Sequence, residues 1–364
     1  MSIAIYDKNF LYKEAVIEEE IAWYPVSSKL FDVYGFLASD DAVLSRRIPE
    51  EVAAATSTGV HGQHAHAAGG RVRFSTDSPF IALRVVYGTI SNHTVCTGIL
   101  NYGFDINCNY PDGREIFIAA FRPTPGDCIT GTPITYRKNI QSGDKMQSFT
   151  LNMPHFASVT NLMIGLKVGS SLGRGEKYVN DLPVVFYGSS ITHGAAAGKP
   201  GNTYENFISQ RYNLDYINLG FSGSARGEDA ITDYMASIKM SVFVSDYDHN
   251  AKNAECLKET HYRMYERIRA KNPDLPYVMI SRPDFYPNIE DSKKRRSVIL
   301  ASYEKAVENG DKNVYFIDGE HLFDGEFSES CTNDACHPND IGFIRMADKI
   351  GPLLAQILGL EEKR

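Results

Sequence analysis

The stretch PVVFYGSSITHG, Pro183 to Gly194, marks where the chain changes character. Its apolar run PVVFY reads as a short buried strand, and Gly188, Ser189 and Ser190 follow as a small, polar turn. Four more runs of the same kind follow: DYINL (215–219), SVFVS (241–245), PYVMI (276–280) and NVYFI (313–317). Amphipathic stretches near 203–211, 227–238, 254–271, 292–309 and 340–358 alternate with them and predict helices. Five strands alternating with helices predict a parallel sheet covered on both faces. In such sheets functional groups collect at the C-terminal ends of the strands.

Upstream the pattern differs. RVRFSTD (71–77), FIALRVVYG (80–88), EIFIAAFR (115–122) and NLMIGLKVG (161–169) alternate apolar and polar residues, with Gly, Pro, Asn and Asp between them. Period-2 runs at hairpin spacing predict an antiparallel, jelly-roll-like β-sandwich. The polar stretch SSLGRGEKYVND (170–181) reads as the linker. The expected division is therefore 1–180 and 181–364, as suits a chain of 364 residues.

The formal net charge of -8 speaks against nucleic acid or an anionic membrane as the main partner. No apolar run approaches the ~18–20 residues of a membrane span. MSIAIYDKNFLYKEAVIEEE (1–20) lacks the basic and apolar regions of a secretory leader, so a cytoplasmic protein is expected. The six cysteines, Cys96, Cys108, Cys128, Cys256, Cys331 and Cys336, are expected to be free thiols. The sequon Asn92-His93-Thr94 is expected to carry no glycan.

The strand ends carry the chemistry. The first delivers Ser189 and Ser190, the second Gly220, Ser222 and Gly223, and the third Asp246, Asp248, His249 and Asn250. TNDACHPND (332–340) sets Asp334 and His337 just before the last helix. Acyl transfer requires such parts: a nucleophile, a base, an orienter for the base, and donors for an oxyanion. The i, i+3 spacing lets Asp334 reach the His337 imidazole, although Asp334 and Asp340 could instead cap the helix. Ser222 rivals Ser190. Neither serine fits the Gly-x-Ser-x-Gly elbow, since Thr192 and Ser224 stand where glycine is needed.

This constellation resembles the SGNH, or GDSL-like, hydrolase superfamily over about residues 181–360. That superfamily presents Ser, Gly, Asn and Asp-x-x-His blocks in this order. Here they read GSSIT (188–192), NLGFSG (218–223), DYDHNA (246–251) and DACH (334–337). The resemblance implies a flavodoxin-like α/β/α sandwich with Ser190 as nucleophile, His337 as base and Asp334 as orienter. It implies an oxyanion hole from the backbone N–H groups of Ser190 and Gly223 and the Asn250 amide, with no metal or organic cofactor. Ser189 departs from the family's usual Asp, and the third block lacks its glycine and trailing Asp. SRRIPEEV, AHAAGGRVRFSTDSP and GFDIN (103–107) resemble the β-sandwich of bacterial two-domain members with a Gly-x-Asp-Leu-Tyr signature. Ile106 and Asn107 replace that signature's last two residues. Such relatives include carbohydrate esterases that remove acetyl groups.

The resemblance leads to the expectation of a serine esterase acting on acetylated oligosaccharides or other small esters. An aryl or lipid esterase, a thioesterase, and a non-catalytic carbohydrate-binding protein are the alternatives, and a homo-oligomer stays open. His193 is expected at the substrate rim, with GAAAGKP (194–200) as a flexible rim loop. GAAAGKP is no phosphate loop, because three residues rather than four separate its glycines. Arg226 and Arg282 each follow a strand, to contact substrate or to buttress nearby aspartates. His61, His64 and His66 form a surface loop or reach the rim; in an extended segment His64 and His66 would share a face able to hold a metal. Cys331, Cys336 and His337 resemble a partial zinc set, but His337 is better used as the base.

Overall fold

A computed structural model describes residues 16–37, 44–110, 113–123, 126, 128–140 and 145–362. Most of the stretch read for a leader, residues 1–15, lies outside the described residues.

The alternating runs of the first half form ten strands. These are β1 (Ile21–Pro25), β2 (Asp32–Tyr34), β3 (Arg71–Thr76), β4 (Phe80–Ile90), β5 (Phe104–Asn109), β6 (Glu115–Phe121), β7 (Pro133–Asn139), β8 (Gln147–Asn152), β9 (Ala157–Lys167) and β10 (Leu172–Arg174). One antiparallel sheet runs β1-β9-β4-β7, and a second runs β10-β3-β8-β5-β6 with β2 also on β3. Their inner faces share one core that includes Phe74, Leu83, Tyr87, Phe104, Ile106, Leu151 and Ile164. Alternation along each strand delivers these side chains to one face, which makes a sandwich.

The second half holds β11 (Val184–Gly188), β12 (Tyr216–Gly220), β13 (Val242–Asp246), β14 (Tyr277–Ile280) and β15 (Val314–Ile317). All pairings are parallel, in the order β12-β11-β13-β14-β15. The first three strands are buried along their whole length. That explains their continuous apolar runs. Nine helices occur among the described residues. Three lie in the first half: α1 (Glu50–Thr56), α2 (Thr58–Gln63) and α3 (Gly98–Tyr102). The rest are α4 (Ser190–His193), α5 (Tyr204–Tyr212), α6 (Asp229–Met235), α7 (Ala254–Lys271), α8 (Ile289–Glu308) and α9 (Asp340–Leu358). No helix among the described residues is long and apolar enough to cross a membrane.

Packing does not follow the sequence division everywhere. Ile48, Ala53 and Val60, from α1, α2 and the turn before them, belong to the core that covers one face of the parallel sheet. Fully buried Arg47 sends one nitrogen to the carbonyls of Asn218 and Gly220, at 3.1 and 2.7 Å, and another to Gln63 O at 2.8 Å. Asp105, from the GFDIN stretch, is fully buried and accepts from Lys199 Nζ at 2.7 Å and Gly201 N at 3.2 Å. The stretch expected as a linker is built in. Leu172–Arg174 pairs with β3, and Tyr178 accepts from Arg71 Nε at 2.9 Å.

Candidate active site

The site begins where β11 ends. A side chain on Gly188 would collide with Thr192 Oγ1 and the Asp246 carbonyl, so only glycine lets the chain turn here. Ser189 then caps α4, its buried hydroxyl accepting from Ile191 N at 3.2 Å. An Asp would cap through its carboxylate, and a hydroxyl supplies the same acceptor. Ser190 is the first residue of α4, and its backbone N–H has no acceptor among the described residues.

His337 arrives from the loop before α9. An isolated bridge between Thr332 and Pro338 closes this loop, and Asn333 N donates to His337 O at 3.0 Å. Within it, Ala335 adopts φ +63°, a left-handed conformation uncommon for a residue with a Cβ. The turn folds Asp334 back on His337. The two Asp334 oxygens take His337 N and His337 Nδ1, each at 2.8 Å, and Cys336 N donates at 3.2 Å. Burial pushes the Asp334 carboxyl up, but these hydrogen bonds prevail and hold it below the usual range. With Nδ1–H given to the carboxylate, Nε2 is free as an acceptor, and Ser190 Oγ lies 2.9 Å from it. The structure thus joins Ser190, His337 and Asp334 in one hydrogen-bonded chain.

The second and third strand ends flank Ser190. Gly223 sits at φ +68° in an exposed turn, and its N–H has no acceptor among the described residues. Asn250 gives one amide hydrogen to Phe221 O at 3.0 Å and keeps the other. Its short turn is fixed from behind: Arg282 N donates to Asp248 Oδ2 at 3.1 Å, and Arg295 donates to the carbonyls of Asp248 and Ala251. Such N–H groups can stabilise a developing oxyanion.

Several expectations are corrected by burial. His193 does not reach a rim. It is fully buried, stacked on Phe156 with ring centroids 4.4 Å apart, and its Nε2 donates to His155 O at 2.8 Å. Its Nδ1 meets Ser222 Oγ at 3.1 Å, so the rival serine also faces an imidazole. Burial and then Arg47 push the His193 pKa far down, however, and among the described residues no carboxylate bonds to its ring. GAAAGKP is not a flexible loop either. Ala195 to Ala197 are buried, Gly198 N donates to Asp340 Oδ1 at 2.7 Å, and Lys199 reaches Asp105. Asn339, not Asp334 or Asp340, caps α9.

Arg282 is a buttress, bonded to both oxygens of Asp284 and to Asp291. Arg226 is exposed and donates to Gly223 O at 3.2 Å. His61 lies in helix α2, so the histidine stretch is not extended. His64 stacks on His61, while His66 is buried beside His193. Cys331 is buried, and its Sγ donates to Phe327 O at 3.6 Å.

Sequence reasoning missed His93. It comes from the loop after β4 in the sandwich half, and its ring meets that of His337 at 77°, with centroids 5.4 Å apart. Asn101 holds its backbone on both sides, and Phe156 packs on it at 5.1 Å. No local pattern marks it. Beside the Asp334 loop lies a cavity of about 680 Å³, lined by Phe285, Tyr286, Phe323, Thr332 and Ala335 with several carboxylates.

Comparison with known proteins agrees with this architecture. Residues 181–355 match the GDSL-like lipase/acylhydrolase family, and residues 21–172 match the N-terminus of SGNH-hydrolase-type esterases. None of the curated proteins matches the chain. Among solved structures, a protein of Bacteroides ovatus ATCC 8483 described as a GDSL-like lipase is similar with a TM-score of 0.84. It is 24% identical, over 94% of this chain and 100% of that one. A salicylyl-acyltransferase from a tetracycline biosynthetic pathway is similar with a TM-score of 0.73 at 18% identity, over 93% and 98%. An acetyl xylan esterase from the rumen bacterium Butyrivibrio proteoclasticus has a TM-score of 0.59 at 12% identity, over 93% and 99%. With both family matches in sequence order and a parallel-sheet fold behind an antiparallel sandwich, the chain is a two-domain member of the SGNH, GDSL-like lipase/acylhydrolase family.

Proposed function

We propose that this protein is a serine esterase that removes small acyl groups, acetyl foremost, from carbohydrate hydroxyls. The observation that carries this reading is the chain Ser190 Oγ to His337 Nε2 at 2.9 Å and His337 Nδ1 to Asp334 at 2.8 Å. Ser190 Oγ attacks the ester carbonyl as His337 Nε2 takes its proton. The C–O bond to the sugar breaks, and His337 returns that proton to the leaving hydroxyl. Water then attacks the acyl-enzyme by the same path in reverse. Asp334 keeps the imidazole in the tautomer this requires. The N–H groups of Ser190 and Gly223 and the free Asn250 amide hydrogen receive the oxyanion.

The carbohydrate assignment is supported by the cavity beside the loop. Aromatic faces there suit the C–H faces of a sugar ring, and carboxylates suit its hydroxyls. Structural likeness to the acetyl xylan esterase points the same way. Likeness to the salicylyl-acyltransferase favours a second reading, in which an alcohol rather than water releases the acyl group.

The test is hydrolysis of p-nitrophenyl acetate and butyrate, followed by mass spectrometry of acetylated manno- and xylo-oligosaccharides. Acetyl loss from a sugar, abolished in Ser190→Ala, is the expected result. An inert parent, or a variant as active as the parent, would overturn the esterase reading. Acyl transfer to added alcohols in preference to water would select the second.

A further inference from the structure

Behind His337 stands a second nucleophile–imidazole–carboxylate arrangement that the proposed reaction does not use. Cys336 immediately precedes His337, and its Sγ lies 3.9 Å from His249 Nδ1. The other ring nitrogen of His249 forms an ion pair with Asp284 Oδ1 at 2.7 Å. Both Asp284 oxygens are also held by Arg282, at 3.0 and 2.9 Å. Cys336 Sγ, a His249 ring nitrogen and an Asp284 carboxylate oxygen all fall within 4.8 Å of one another. Asp284 is almost fully buried and the His249 side chain is 9% exposed, whereas Cys336 is only half-buried.

We infer that Cys336 is a thiol modification site, built to react with small disulfides and set so that its modification disables the adjacent His337. An imidazole N–H facing a sulfur, with a carboxylate behind the ring, is the setting in which thiols react as thiolates. Burial works against charge on His249, but Asp284 and its other neighbours prevail and raise its pKa to about 10, which leaves an N–H on each nitrogen. Burial instead pushes the thiols of Cys96, Cys108 and Cys331 up, which makes them poorer nucleophiles.

Cys336 N donates to Asp334, and His337 is the next residue. We expect a bulky group on Sγ to disturb the turn that holds Asp334 against His337. The exchange is balanced without any further oxidant. The Cys336 thiol loses its proton to water, and its sulfur bonds to one half of the disulfide. The disulfide's own S–S bond breaks, and the other half leaves as a thiol after taking up a proton. Reduction by a dithiol reverses the step. The loss of activity rests on the esterase reading above; the chemistry of the thiol does not.

The experiment incubates the full chain with glutathione disulfide and maps the products by peptide mass spectrometry. We expect the mixed disulfide on Cys336 ahead of the other five cysteines. Esterase activity should fall in step and return with dithiothreitol. Cys336→Ser should lose the sensitivity relative to its own untreated sample. His249→Asn should slow Cys336 labelling about tenfold, and Asp284→Asn serves the same purpose if that variant does not fold. Preferential labelling of another cysteine, or an unchanged Cys336 rate in a folded His249 or Asp284 variant, would overturn the proposal. Labelling of Cys336 in a protein without esterase activity would support the thiol site and sink the esterase reading alone.

Discussion

His93 and His337 meet edge to face across the boundary between the two halves, with ring centroids 5.4 Å apart. The sandwich half thus supplies part of the wall around the proposed base. Burial, and then the neighbouring His337, lower the His93 pKa below that of a free imidazole. We expect His93→Ala to lower kcat/KM on p-nitrophenyl acetate about 5- to 10-fold, an effect of roughly 1 kcal/mol on the transition state. His93→Phe should restore packing on Phe156 without the ring nitrogens. If Phe recovers the parent rate, the role is steric; if it remains as slow as Ala, a ring nitrogen matters. An Ala variant within twofold of the parent would remove His93 from the site.

Ser190 and Ser222 each lie against an imidazole, and the surroundings of the two rings separate them. His337 has a carboxylate on its far nitrogen, whereas His193 has the His155 carbonyl there. Burial also deprives His193 of basicity. Ser222→Ala should therefore keep at least about half the parent activity, while Ser190→Ala should lose on the order of 10⁴-fold or more. Equal losses in steady-state assays would transfer the nucleophile's role to Ser222.

Much of this was legible because it is local. Buried parallel strands make continuous apolar runs, so β11 to β15 stood out, and the stretches expected as α7 and α9 match Ala254–Lys271 and Asp340–Leu358. The Asp334–His337 turn was legible because both members lie within four residues. What escaped was decided by contacts distant in sequence. Nothing around Glu50–Gln63 indicates that Ala53 and Val60 complete the core of the other half. His193 sits in a polar-looking turn but is buried by Phe156 and His155, from a strand connection almost forty residues earlier. The GAAAGKP stretch looked mobile from its small residues. Those same small residues let it pack tightly between Asp105 and Asp340.

Asp246 gives a prediction with a sign. It ends β13 behind the Ser190 turn, fully buried, with Thr192 Oγ1 donating to one oxygen at 3.3 Å and no donor to the other among the described residues. Burial, and then Asp248, raise its pKa from 3.8 to about 7. Between those values the folded chain holds a proton that the unfolded chain has released. The associated stability is fully present below about pH 4 and is lost as pH rises through 7. Asp246→Asn removes the charge at nearly constant shape. The melting temperature of the variant relative to the parent should therefore climb from pH 4 to 7 and then level off. A difference that is flat or falls with pH would contradict this assignment.

Asp105 and Lys199 tie the sandwich to the loop that follows Ser190, and the energetics of buried pairs make the tie testable. Asp105 is fully buried and Lys199 largely so, with its ammonium also 4.8 Å from the Phe117 ring centroid. Removing one charge leaves the other uncompensated, which costs about 3–5 kcal/mol in buried pairs. Asp105→Asn can still accept from Gly201 N but no longer balances Lys199, so we expect destabilisation toward the lower end of that range. Lys199→Met leaves a buried carboxylate and should cost at least as much. The double variant should be more stable than the sum of the single effects, because neither partner remains as an isolated charge. Urea unfolding of the parent, both singles and the double measures the coupling. Strict additivity would mean that the 2.7 Å contact contributes no pairwise stability and that other contacts join the two halves.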